Sequence, residues 1–345
     1  MNTQNSALSF LVKLLIVIAV VVILYFGAQL LIPLIYAVML ALLILPLVNR
    51  LIKIGLPESL SIGIASVSLL AVFIGIIALI IWQGAEMGEN TAQFEKKFDS
   101  LYEKTQNKVN TYLGVTPKEQ DKEVDHALEQ VPKKAFDFIS GATMVLSDWL
   151  LAFVYIIVLL LERKRMKQVV LKIIDDRHKT KALHSMTEIS ATVKDYLYGQ
   201  FLVTVVLAVV YAIGFSILGI KFSIILAIIA ALLTFIPYLG NIVGGLMIVA
   251  MGFMSGLAFN EVIYIVIFLS LVQLIESYIL KPWIIGNEIS LNIFTVIFSI
   301  VAFSMLWGIA GSIIALPLTS ILRICFSKIE NLQPYAYLLS DNKKE

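Results

Sequence analysis

Residues 222–260 read FSIILAIIAALLTFIPYLGNIVGGLMIVAMGFMSGLAFN, a run without a single Asp, Glu, Lys or Arg. A helix needs about 20 apolar residues to cross a bilayer, so this run holds more than one span. Pro237 interrupts it, and Gly240, Gly244 and Gly245 follow closely. Working outward, uncharged runs also cover Leu14–Asn49, Ser59–Ala85, Tyr196–Ile220 and Ile289–Leu322. Backbone amides in lipid must find partners within their own segment, which makes these runs helices. Of 345 residues, 59% are apolar and 14% charged, against about 25% charged in soluble domains. The fold class is all-α: a polytopic transmembrane helical bundle of about eight spans, with an extracytoplasmic helical hairpin and a discontinuous helix in its C-terminal half.

The N-terminus lacks a basic start and a small-residue cleavage site, so its apolar run reads as a retained span. Spans one and two are expected at residues 10–31 and 34–47, with Pro33 at a tight turn or kink between them. Span three is expected at 60–82, span four at 142–161, span five at 197–218, span seven at 262–280 and span eight from about Phe294. The stretch 222–259 reads as one broken span or as a span plus a re-entrant hairpin. Residues 162–195 carry 9 Lys plus Arg against 5 acids, and basic loops stay in the cytoplasm. That places both termini inside and residues 84–140 outside. Lys221 and Lys281 then fall outside, against the trend.

This partitions the chain into a three-span segment (1–83), an outer hairpin insert (84–141), span four (142–161), a basic inner loop (162–196), a C-terminal transport core (197–327) and a cytoplasmic tail (328–345). In the insert, Phe94, Phe98, Leu101, Thr105, Val109 and Tyr112 repeat at spacings of three and four. So do Val124, Leu128, Val131, Ala135 and Phe138, with Gly114 and Pro117 between the two sets. Each set makes one stripe on a helix. The stripes close on each other or on a neighbouring subunit. In the inner loop, Leu183, Met186, Ile189, Val193 and Leu197 share the same spacing. They predict an amphipathic helix that leads into span five, either on the lipid surface with Lys179, Lys181 and Lys194 towards anionic headgroups or packed against other spans.

Catalytic signatures are absent: the chain has no His-Glu-x-x-His, no Gly-x-Ser-x-Gly and no phosphate loop. One cysteine, Cys325, and three histidines leave no disulfide framework, no metal cluster and no cofactor. A net charge of +2 points to no nucleic-acid partner. The expected partners are a small-molecule or ion substrate and membrane lipid. A charge within a span costs about 2.5–3.5 kcal/mol on insertion scales and therefore marks function or pairing. Two carboxylates qualify. Asp148 lies near the outer end of span four, where water can meet it. Glu276 shares a helix face with Gln273, and Lys281 and Pro282 follow. Either Glu276 and Lys281 anchor the end of a span, or Glu276 couples solute movement to a proton or cation.

The break is the second signal. Transporters bind solutes where a membrane helix is interrupted, because freed amides and carbonyls become ligands. Pro237, Tyr238, Gly240, Asn241 and Gly244 make such an interruption; its structural alternative is a packing kink with a Gly-x-x-x-Gly contact.

Here the chain resembles a family. Tyr198-Gly-Gln200, Leu218-Gly-Ile, Phe235-Ile-Pro-Tyr-Leu-Gly240, Gln273-x-x-Glu276, Leu280-x-Pro282-x-x-x-Gly286 and Gly308-x-x-Gly311-x-x-x-Ala-x-Pro317 stand in the order seen in the autoinducer-2 exporter family of permeases. The resemblance covers residues 196–324 closely and the N-terminal half in layout. It implies a bacterial inner-membrane permease that exports a furanosyl signalling molecule, or a cation/proton antiporter as other members resemble. It also implies a homo-oligomer, with a pentamer as the expected form. Gln200, Gly286 and Asn292 join the expected pathway through these motifs. Where many members carry His-Pro, this chain has Asn292-Ile293, which removes a titrating group from that position. A non-transporting scaffold is the rival from another class, and it would tolerate loss of Pro237, Gly240 and Glu276.

Overall fold

A computed structural model describes residues 3–89, 150–236, 239–285 and 291–341. The outer insert lies almost wholly outside the described residues, as do Asp148, Pro237, Tyr238 and Gly286. Among the described residues the secondary structure is helical apart from one isolated β-bridge. It divides into two compact units. The first comprises Met1–Val67, Trp149–Leu197 and Asn287–Glu345, and the second comprises Ser68–Asp148 and Tyr198–Gly286.

The first unit opens with α1 (Thr3–Phe26) and α2 (Ala28–Lys53). The expected turn at Pro33 is not found; Pro33 and Pro46 both lie inside α2, and the path bends at Gly27. Gly27 N–H still bonds to Ile23 at 2.8 Å, and its carbonyl accepts from Leu31 at 2.9 Å. A Cβ at Gly27 would lie 2.7 Å from the Ile23 carbonyl oxygen, so glycine is what lets the backbone tighten here. The helix α3 (Glu58–Glu89) starts on Glu58, whose two oxygens hold Arg163 Nη2 at 2.8 Å and Lys164 Nζ at 2.6 Å. Those cations sit on α4, a continuous helix over 150–173. Span four therefore runs on past 161 into the basic segment. Asp175 caps the following short turn, and its bonds to the Arg177 side chain and backbone hold its carboxyl below the usual range.

The helix α5 (Lys179–Ile217) joins the expected inner amphipathic helix and span five without a break. Along it Leu183, Met186 and Ile189 are half-buried and Val193 and Leu197 buried, while Glu188 meets Lys328 at 2.7 Å. Protein covers this stripe, which favours packing over a place on the lipid surface.

The long C-terminal helix of the first unit, α10 (Ile293–Ser327), has the length of a span, but Trp307 and Gly308 leave the helical region, Gly308 with φ 62°. A Cβ on Gly311 would lie 1.9 Å from the carbonyl oxygen of Phe303. In a straight helix those residues stand about 12 Å apart along the axis. The chain therefore reverses, and α10 is a hairpin of two half-helices. The apolar run expected to begin span eight near Phe294 starts where α10 starts, and it is broken at Trp307–Gly308. Two long side chains fasten the tip: Trp307 Nε1 donates to Leu24 O at 2.9 Å and Tyr36 Oη to Ala310 O at 3.1 Å. The Leu24 carbonyl lies just before the Gly27 bend, so a side chain at one interruption satisfies a backbone oxygen beside the other.

In the second unit, α6 (Ser223–Leu233), α7 (Leu239–Met254) and α8 (Phe259–Ile275) follow α5. At 11 and 16 residues, α6 and α7 are about 16 and 24 Å long, short of the ~30 Å hydrocarbon core. They pack against each other: a Cβ at Gly240 would meet Leu233, and one at Gly244 would meet Ala230. Position sums that stay nearly constant identify an antiparallel pair, so 222–259 contains a second tight hairpin. Its core unites Leu207, Phe215, Leu226, Ala230, Ile248 and Ile265. Tyr211 stacks on Phe215 at 5.3 Å, and Phe268 stands edge-on to both.

Candidate functional site

The site belongs to the second unit and begins with the break between α6 and α7. Thr234 Oγ1 turns back to Ala231 O at 2.6 Å, and the Thr234 carbonyl, released from helical bonding, accepts from Gln200 Nε2 at 3.2 Å. Gln200 is buried. Its part is to hold the break by satisfying a backbone oxygen that lipid would leave bare. Gly240 is required sterically, since an added Cβ would fall 1.7 Å from the Leu233 carbonyl oxygen.

Beside the break lies a cleft of about 390 Å³. Tyr211 from α5, Ala230 from α6, Gly240, Asn241, Gly244 and Gly245 from α7, and Leu269, Ser270 and Gln273 from α8 line it. Asn241 Oδ1 is buried and has no hydrogen-bond partner among the described residues. A buried acceptor left unsatisfied costs about 1–3 kcal/mol, so the cleft favours an occupant with a donor. Gln273 Nε2 donates to Ser277 Oγ at 3.1 Å, one turn further along the same helix.

Glu276 opens a π-helical turn, Glu276–Leu280, that runs into the short helix α9 (Lys281–Ile284). Pro282 explains the turn: its ring excludes an N–H and crowds the carbonyl four residues back, and a widened turn relieves both. The Lys281 N–H then reaches the Glu276 carbonyl, five residues back. Widening also brings two side chains onto one face that regular helical spacing would separate. Lys281 Nζ lies 2.7 Å from Glu276 Oε1. The Glu276 side chain is fully buried while that of Lys281 is 30% exposed, and Oε2 has no hydrogen-bond partner among the described residues. Tyr211, on α5, lines the cleft as well.

The structure thus brings Asn241, Gly240, Gly244 and Gln273 together at the cleft, with Glu276 and Lys281 paired on the same helical run as Gln273. Pro282 shapes the π-turn, and Gln200 supports the break. Asn292 belongs to the first unit and caps α10, with its Oδ1 accepting from Thr295 N at 2.8 Å. Tyr211 and Ser270 are missed by the sequence reading. Each is a polar residue within an apolar run, and only the fold shows that they face a cleft.

Comparison with known proteins gives the same direction. The AI-2E family transporter description matches residues 14–331. YrrI of Bacillus subtilis (strain 168), a transport protein by name alone, is 26% identical over 309 residues, covering 85% of this chain and 84% of its own. The AI-2 transport protein TqsA of Escherichia coli (strain K12) is 22% identical over 329 residues, covering 93% and 92%. YueF of Bacillus subtilis (strain 168), again a transport protein by name, is 25% identical over 225 residues, covering 64% and 60%.

Proposed function

The chain belongs to the AI-2E family of transporters, and from that premise we propose that it moves a small polar solute through the cleft beside Asn241, coupled to an ion gradient by Glu276. One observation carries the reading: a fully buried carboxylate, held by a single partly exposed ammonium, on a helix that also lines the cleft. While Lys281 is in place the charge of Glu276 is balanced. When Lys281 swings towards water, a buried carboxylate left alone must take up a proton or a cation. Alternation between these two partners is a coupling step. The free Asn241 acceptor suits a hydroxyl-bearing solute, and an export substrate of the autoinducer-2 type meets that chemistry. The name of TqsA supports the same class.

A second reading, cation/proton antiport, is favoured by the unpartnered Oε2 of Glu276. Proteoliposomes separate the two. With autoinducer-2 supplied on one side, the first reading expects accumulation only under a proton or sodium gradient. Proton release on addition of a cation alone, with no movement of autoinducer-2, would overturn it in favour of antiport.

The same proposal carries a topology. The chain faces the cytoplasm at residues 50–57 and in the basic segment. With 222–259 returning to the side it left, α8 then runs inward and Lys281 joins the other cytoplasmic cations, which removes one of the two breaches of the positive-inside trend. In a Cys325→Ser background, single cysteines at Lys179 and Trp283 should resist an impermeant thiol reagent applied from outside, and one at Thr116 should react. Labelling at Trp283 with protection at Lys179 would show that 222–259 crosses the bilayer.

A further inference from the structure

The C-terminal segment is tied to the first residues of α10 by bonds that capping alone does not require. Asn292 Oδ1 caps the helix, yet its Nδ2 donates to Leu338 O at 2.6 Å and to Ser340 O at 3.3 Å. The Asn292 backbone N–H adds a bond to Leu339 O at 3.1 Å, and Leu291 forms an antiparallel bridge with Ser340. The partners come from α11 (Gln333–Leu339) and the residue after it. One amide side chain thus reads two roles at once, acceptor towards the hairpin and donor towards the tail. Along the tail Tyr335, Tyr337 and Leu338 are exposed, while Ala336 is buried and the Tyr335 ring stands edge-on to Phe326.

The other half-helix of α10 leads directly into the same tail, and Lys328, just beyond it, is fixed by Glu188 on α5. Both feet of the hairpin are therefore pinned on one side, while its tip is pinned by Tyr36 and Trp307. We propose that Asn292 is a positioning residue, a clasp through which the C-terminal segment sets the freedom of the α10 hairpin and thereby the transport rate.

Aspartate distinguishes the clasp from the cap. Asn292→Asp retains the acceptor for Thr295, and Asp caps as well as Asn, but it loses both donors and sets a carboxylate against two carbonyls. A stop after Leu332 removes the tail while leaving Asn292 intact. In hydrogen–deuterium exchange of the solubilised chain, amides 295–299 should exchange at least tenfold faster in either variant, and no faster when the two are combined. Exchange as slow as in the parent for Asn292→Asp, with acceleration only in Asn292→Ala, would reduce the residue to a cap and overturn the proposal. So would accelerations that multiply in the combined variant. Efflux of autoinducer-2 should fall at least threefold in each variant and no further in both; unchanged efflux would overturn the functional half. The efflux arm rests on the transport reading given above and the exchange arm does not. A parent chain that moves no autoinducer-2 therefore counts against that reading, and exchange still decides the clasp.

Discussion

Glu276→Gln is expected to abolish gradient-driven accumulation while downhill exchange of solute persists. The substitution keeps the shape of the side chain and removes only its ability to change charge. Stability should fall little, because the Lys281 ammonium is already 30% exposed and can turn to water when its partner goes. The converse variant is the harsher one. Lys281→Met strands a carboxylate that is fully buried, and breaking a buried pair in this way costs about 3–5 kcal/mol. The combined Glu276→Gln, Lys281→Met protein should regain much of that loss yet remain uncoupled. If the pair were only an anchor, coupling would survive in Glu276→Gln and follow stability in all three. Proton-gradient-driven uptake, measured beside thermal unfolding in detergent, distinguishes these outcomes; full coupling in Glu276→Gln would falsify the role given to it.

Gly240→Leu is expected to prevent the second unit from folding, so that little monodisperse protein is recovered. Its ideal Cβ alone would stand 1.7 Å from one backbone oxygen and 2.3 Å from the adjoining carbonyl carbon. Neither atom can step aside as a side chain would. The cost should exceed the roughly 1–3 kcal/mol of ordinary overpacking, and even Gly240→Ala should be severe. Gly244 is the control. A Cβ there would make ordinary contacts of 3.7 and 3.8 Å with Ala230, so Gly244→Ala should change stability by no more than about 0.5 kcal/mol. Gly240 thus serves folding before it serves a solute. Normal recovery and melting of Gly240→Leu would show that the two half-helices do not approach as described.

Much of the candidate site was legible because its residues violate their surroundings. Glu276 is a carboxylate in an apolar run, Pro237 breaks a run too long for one span, and Lys281 follows within reach. Proline was a poorer guide than it looked. Pro33, Pro46 and Pro317 all lie inside helices, whereas the sharpest reversal of the first unit falls at Trp307–Gly308, where the sequence carries no proline.

By itself the sequence determined that the chain is helical and membrane-embedded, and where its long apolar segments lie. Hydrophobic length is a property of consecutive residues, and lipid leaves a backbone no choice but to satisfy itself. Only the tertiary structure decided where those helices break and turn. A break inside apolar surroundings frees carbonyls that need donors from elsewhere, and the donors are distant in the chain: Gln200 for Thr234, Tyr36 for Ala310, and Trp307 for Leu24. No local pattern announces such a partner, because the hydrogen bond exists only once the two segments have met.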